Sequence, residues 1–466
     1  MNKDLSLNIF IGIIWLISVL SFLQLFPIPL ILLLFILGVT YFLTLIFRVH
    51  LFSNLLIYLI ILSPIFGSIN FFKTNLLFSD IFLFSSIFIL FQKKIYPFNS
   101  PFFYFVFFLI ISHIIIHFII GDLINIKPLI SILEIFAVYY IVKETLKVKE
   151  NNSIYFSIIF STIIGIILMF LAFYKGVNLN NFQGDNNSLI TDAVELDLTK
   201  YRMSYFYTNF PFIMSSTVFV LLFFIDKFKK LVYKILLICI ILLICLSLVA
   251  SGNKTVMLTT LVVFLFSNFL FDKSGIFKKI NILYLLFFIT ILNVVIFTFF
   301  LNEYNSELFI QRMLSSDSFV DRLGVYTNVL FIYSHNFSRI FLGYGADFLT
   351  GAGDPIIANN FKMNYYTKNE QGAVDSGIIT FIIEFGILYF ILFAHIIICR
   401  MRLLFRNLNS NNILFLQIFQ IFIISSFTQL VGLSKIFWFF VLIFALAKSN
   451  LKDKNVIEIK SIKNNL

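Results

Sequence analysis

Apolar runs of about 20 residues, the length that crosses a bilayer, recur along the whole chain and end in clusters of lysine or arginine. A sequence of 466 residues that is 60% hydrophobic and only 12% charged has too little polar surface for a soluble globule, which carries about 25% charged residues. The pattern predicts an all-α, polytopic integral membrane helix bundle. It has about fourteen (12–14) transmembrane helices, read at about 9–26, 29–47, 51–72, 76–91, 101–120, 126–142, 154–173, 209–225, 231–250, 256–271, 280–301, 376–398, 412–431 and 436–448. The first run, Ile9 to Phe26, ends in Phe-Pro without a small-residue cleavage site, so it reads as the first span and not as a cleavable leader.

Charge fixes the expected orientation. Lys93 and Lys94, the Lys143–Lys149 group, the Lys227–Lys234 group, the Lys273–Lys279 group, and Arg400, Arg402 and Arg406 all fall on one side of the alternating spans. The positive-inside rule makes that side cytoplasmic. The inner side then holds 22 basic and 7 acidic residues, the outer side 12 and 13, and the spans three acids, which accounts for all 34 basic and 23 acidic residues. The net charge of +11 is therefore a signature of topology, not a nucleic-acid footprint. Both termini, including a basic tail at 449–466, are expected in the cytoplasm. Two long loops, 174–208 and 301–374, are expected outside.

This layout excludes whole classes of function. The inner loops are about a dozen residues or shorter, too short for the folded domain that a nucleotide-using transferase, kinase or ATPase needs. No Walker A motif or dinucleotide fingerprint is present on the inner side. Cys239, Cys245 and Cys399 lie within or at the ends of spans, and no Cys/His group has zinc-site spacing. Any chemistry is expected on the outer face, at the floor of the 301–374 loop, on a substrate delivered there.

Four outer motifs carry candidate chemistry. Arg202 lies just before Tyr207-Thr208-Asn209-Phe210-Pro211, where a guanidinium can hold phosphate oxygens in a bidentate grip. Asn209 and Pro211 suit the start of the following helix. An interfacial Arg in a Tyr-rich belt gives the same pattern. Ser251-Gly252-Asn253-Lys254-Thr255 forms a short outer turn whose Gly permits a tight bend and whose Lys254 faces the outside. An ordinary hairpin with a snorkelling lysine is the plainer reading.

The third motif runs from Asp321-Arg322 to Leu342-Gly343-Tyr344-Gly345 and encloses an apolar segment expected to be helical. Its Gly-Tyr-Gly turn admits close backbone approach, and Tyr344 can stack on a sugar face. The fourth is Asp375-Ser376-Gly377, continuing to Glu384-Phe385-Gly386. Asp375 is a candidate general base. Glu384 follows about 13 Å further along a helix, on the opposite face, so the two acids are not an acid/base pair. His113 and His117 share one helix face without a third ligand, and Asp80 and Glu134 are intramembrane acids without an evident partner.

The order of these motifs resembles the O-antigen polymerase/ligase family over Tyr201 to Gly386. The match consists of an outer Arg followed by Asn-x-Pro, a Ser-Gly-x-basic-Thr turn, a large outer loop with Arg and then Leu-Gly-Tyr-Gly, and a polar span entry with Glu-x-Gly. The resemblance implies an inner-membrane glycosyltransferase of bacterial surface polysaccharide assembly, for O-antigen or capsule, that needs neither nucleotide sugar, cofactor nor obligatory metal. It implies an undecaprenyl-diphosphate-linked oligosaccharide as substrate, with membrane lipid, a chain-length regulator and a flippase as partners.

On that reading Arg202, Lys254 and Arg322 bind the diphosphate. Asp375, with Arg322, is catalytic, and Tyr207 and Tyr344 bind sugar. Asn209, Pro211, Gly343, Gly345, Glu384 and Gly386 are structural. Two departures matter. Lys254 stands where the family often has Arg, and Asp375-Ser376 stands where ligases present His-Asn, which favours a polymerase. His335-Asn336 precedes the Leu-Gly-Tyr-Gly turn and does not supply that motif. A lipid-linked oligosaccharide flippase is the competing class. However, the spans hold no interior Lys or Arg to line an anionic path, and a flippase has no need of the long outer loop.

Overall fold

A computed structural model describes residues 3–48, 51–66, 68–71, 74–92, 126–145, 151–175, 210–227, 230–253, 339–343 and 385–406, with isolated positions in 104–118, 256–263, 310, 382–383 and 439–443. The expected spans at 280–301 and 412–431 lie outside the described residues. The described elements are α1 (Lys3–Phe22), α2 (Leu30–Phe47), α3 (Phe52–Leu62), β1 (Ser68–Phe71), β2 (Thr74–Leu77), α4 (Phe78–Gln92), α5 (Ile126–Thr145), α6 (Asn151–Tyr174), α7 (Phe210–Lys227), α8 (Leu231–Ala250), α9 (Arg339–Leu342) and α10 (Ile387–Arg406). Among the described residues, Leu30–Phe47, Ser153–Tyr174 and Leu231–Ala250 are helices long and apolar enough to cross a membrane. Shorter apolar helices accompany them.

The centre of the described bundle is α3. Phe52, Leu55 to Leu62 and the following Ser63 are almost wholly buried, as expected of a helix that is apolar on every face. It packs against α1, α2, α4, α5 and α6. Helix α2 is peripheral. One stripe of it, Leu33, Leu37, Tyr41, Thr44 and Leu45, is buried, while Ile31 and Phe47 are 80% and 78% exposed. An apolar face turned outward is what lipid as solvent requires.

Polar contacts hold the helices in register. The Trp15 indole N–H donates to the Tyr41 hydroxyl at 2.9 Å. At one end of the bundle the side-chain amides of Asn8 and Asn54 both donate to the Ser153 hydroxyl, each at 2.9 Å. At the other end the Lys175 ammonium donates to the Leu23 carbonyl, where a cation meets the negative end of α1. Helices α1 and α6 therefore run parallel, the relation that the alternating charge pattern requires of the first and seventh spans. Between these ends Gly12 lets α1 lie against the Phe160 ring of α6, which a Cβ would meet at 2.0 Å. Such small-residue contacts are typical of membrane helix pairs.

The structure corrects the expected elements at three places. Helix α1 begins at Lys3, earlier than the expected 9, and ends at Phe22. Asn8, in its second turn, is buried against Ser153. Its end is a Schellman-type turn, with Gln24 at φ 58° and the Leu25 N–H donating to the Leu20 carbonyl at 2.8 Å.

The expected span 51–72 is helical only to Leu62. A 3-10 turn at Ser63–Phe66 follows, since Pro64 has no N–H to continue the α-helical ladder. Beyond it β1 and β2 form an antiparallel hairpin in the register Ser68↔Leu77, Ile69↔Leu76, Asn70↔Asn75 and Phe71↔Thr74. The all-helical expectation thus gains a short strand pair.

The expected span 376–398 is interrupted. Helical residues 382, 383 and 385 lead to Gly386 at φ +84°, and a new helix, α10, then runs on to Arg406.

Candidate functional site

All four sequence motifs have described portions, which fall at three places. The first is the entry of α7. Pro211 stands in its first turn, where a missing N–H is tolerated. The ring of the adjacent Phe210 fills the space above Gly165 of α6, where a Cβ would meet it at 2.6 Å. One turn further in, Ser215, Ser216 and Thr217 are all buried. Thr217 shares a hydrogen bond with Thr162 of α6 at 3.0 Å, and Ser215 shares one with Thr260 at 2.5 Å. A layer of hydroxyls inside an apolar bundle ties α6, α7 and the helical residues around 256–263 together.

The second is the turn after α8. Gly252 has φ 62°, a conformation open to glycine and strained for most other residues, and its N–H donates to the Val249 carbonyl at 2.9 Å. Asn253 is a helix cap. Its side-chain oxygen accepts from the Val256 N–H at 3.2 Å, and its carbonyl accepts from the Met257 N–H at 3.2 Å. The Val256 N–H at the opening of the next helix is thus already taken by the Asn253 side chain. Because α7 and α8 are joined by a connection of a few residues, and α8 passes directly into this turn, the Phe210–Pro211 entry and the Ser251–Asn253 turn lie at the same end of the bundle. The Ser215–Thr260 bond places the two helices side by side beneath them.

The third combines two motifs that are far apart in sequence. The short helix α9 ends at Gly343, which is buried with φ 76°. This turn rests on Gly386, also buried. A Cβ built on Gly386 would lie 2.2 Å from the Phe341 carbonyl oxygen, 2.5 Å from its carbon and 2.8 Å from the Gly343 nitrogen. These are backbone atoms that no rotamer can move aside. The Gly386 N–H closes the turn before it by donating to the Ile382 carbonyl at 2.8 Å, and its own carbonyl accepts from the Phe390 N–H at 3.2 Å to open α10. The Leu-Gly-Tyr-Gly and Glu-x-Gly motifs are therefore joined, backbone to backbone, through Gly343 and Gly386.

Arg202, Tyr207, Asn209, Lys254, Arg322, Tyr344, Gly345, Asp375 and Glu384 lie outside the described residues, as do His113 and His117. Several of them adjoin described landmarks in sequence. Lys254 directly follows the Asn253 cap, Tyr344 directly follows Gly343, and Asn209 directly precedes α7. The two acids expected within spans are described: Asp80 and Glu134 are 1% and 3% exposed, and the Ser79 hydroxyl donates to Asp80 at 3.1 Å. Among the described residues no group of three or more His, Cys, Asp or Glu is placed to hold a metal ion. The sequence reading overlooked the hydroxyl layer and the Asn253 cap. The run Ser215-Ser216-Thr217 inside an apolar span was the available signal for the first, and Asn three residues before Val256 for the second.

Residues 238–394 match the sequence model of a protein family described as O-antigen ligase. The matched stretch begins inside α8, spans residues 301–374 and ends inside α10, so it contains both the Asn253 turn and the Gly343–Gly386 junction. No curated protein matches the chain, and no solved structure does.

Proposed function

We propose that this chain, whose residues 238–394 match the sequence model of a family described as O-antigen ligase, is a polymerase of a bacterial surface polysaccharide. The growing glycan is transferred from undecaprenyl diphosphate to an incoming lipid-linked repeat unit on the outer face of the inner membrane. The observation that carries this reading is the content of the matched stretch. Lys254, Arg322, Tyr344 and Asp375 all fall within it, together with the large polar loop. Asp375-Ser376 at the span entry, in place of His-Asn, favours polymerase over ligase.

In the reaction, a hydroxyl of the acceptor sugar attacks the anomeric carbon of the donor glycan, and the bond from that carbon to the diphosphate oxygen breaks. Negative charge builds on the departing diphosphate. Arg202, Lys254 and Arg322 are assigned to stabilise it, in a dehydrated site where fixed cations act strongly. Asp375 takes the proton of the attacking hydroxyl. Tyr207 and Tyr344 hold sugar by stacking. No nucleotide, cofactor or metal is needed for these steps.

Purified protein supplied with synthetic diphosphate-linked repeat units tests this reading. A ladder of lengthening glycans supports it. Transfer of a single glycan to a lipid acceptor of another kind would reassign the protein as a ligase, and movement of the lipid across vesicles without elongation would make it a flippase.

A further inference from the structure

The broken span and the turn that rests on it lead further. A helix interrupted inside a bilayer frees backbone N–H and C=O groups, and such backbone is tolerated only where protein or a water-filled cavity covers it. Here Phe341 to Gly343 cover the break, and the Gly386 backbone makes both the last bond of one turn and the first of the next. Helix α10 has the exposed apolar side chains Leu388, Ile391, Leu392 and Ile398 of a lipid-facing helix. Gly386 lies fourteen residues before Arg400, about 20 Å along a helix. With Arg400 at the inner boundary of a hydrocarbon layer about 30 Å thick, Gly386 lies about 10 Å below the outer boundary. On the topology expected from the charge pattern, the 339–343 segment that sits on the break therefore lies below the outer boundary.

We propose that Gly386 is a positioning residue. By admitting the 339–343 backbone it sets the depth at which the outer loop enters the membrane, and so the depth at which the loop meets the lipid-linked diphosphate glycan. The proposal rests on the polymerase reading for its substrate, and on the glycine contact for its geometry. Any side chain at position 386 meets backbone, so the loop must rise. Donor binding then weakens even where the protein stays folded.

The test compares Gly386→Ala with Gly38→Ala, a control at a glycine with nothing within 4 Å, in the elongation assay. Gly386→Ala is expected to raise KM for the diphosphate-linked donor about tenfold, and Gly38→Ala to leave it unchanged. Loss of folded protein lowers only the apparent kcat, so the KM change reports position. An unchanged KM in Gly386→Ala would overturn the proposal.

A second measurement holds even if that variant does not fold or no elongation is seen. With the three native cysteines replaced, Ile340→Cys and Asn359→Cys are exposed to a membrane-impermeant maleimide in right-side-out vesicles. The re-entrant seat predicts that Ile340→Cys reacts at least tenfold more slowly than Asn359→Cys. Equal rates would overturn it. Absence of elongation by the wild-type protein, with slow labelling at 340, would sink the polymerase reading and leave the seat standing.

Discussion

Single side chains in this protein separate into contacts that can yield and contacts that cannot. Gly12 faces the Phe160 ring, the far end of a rotatable side chain. Gly12→Ala is expected to destabilise the fold, and Phe160→Ala in the same protein to restore part of the loss, as read by thermal melting in detergent. Gly386 faces backbone, so no truncation of Phe341 rescues Gly386→Ala. The Trp15–Tyr41 bond gives a third residue-level prediction. Tyr41→Phe leaves a buried indole N–H without its acceptor and is expected to cost about 1 kcal/mol, near the low end for a buried orphan because helices in lipid find alternative partners. A melt equal to wild type would show that the bond contributes nothing. At this scale the sequence was only partly legible. Gly343 and Gly386 stood out because they belong to short motifs. Gly12 and Gly165 did not, because the aromatic rings they accept come from distant helices and leave no local mark.

Helices were the most legible level, because a bilayer demands long apolar runs and the charge clusters delimit them. α2 and α8 fall within a residue of the expected 29–47 and 231–250. The departures have local causes. Pro64 stops α3 early and a hairpin follows, while Gly386 breaks a run that is apolar on both sides of the Glu384-Phe385-Gly386 motif. Hydropathy cannot register a break that changes conformation and leaves composition unchanged. Nor can it show that Ser215, Thr217, Thr162 and Thr260 face one another. Their pairing predicts a coupling between helices. A double-mutant cycle of Thr162→Val and Thr217→Val should yield about 0.5–1.5 kcal/mol of interaction, measured by unfolding in mixed detergent. Additive losses would mean that the 3.0 Å contact does not bind α6 to α7.

For the whole molecule, the parallel arrangement of α1 and α6 forms one frame, with the α7 entry and the Asn253 turn at a common end of it. The family match over residues 238–394 agrees with the resemblance that the order of motifs had suggested. What the sequence order could not supply is how Arg202, Lys254 and Arg322 stand relative to one another, since proximity of distant loops is a tertiary property. The central claim is that these cations hold a lipid diphosphate outside the membrane while a glycan is passed on. Its most direct test is elongation of synthetic undecaprenyl-diphosphate-linked repeat units by the purified protein, with chelator present, comparing wild type with Arg322→Ala. The account predicts a ladder of products from the wild type and a loss of about a hundredfold or more in the variant, the scale expected when one group stabilising developing charge is removed. A ladder of undiminished rate from Arg322→Ala would contradict it.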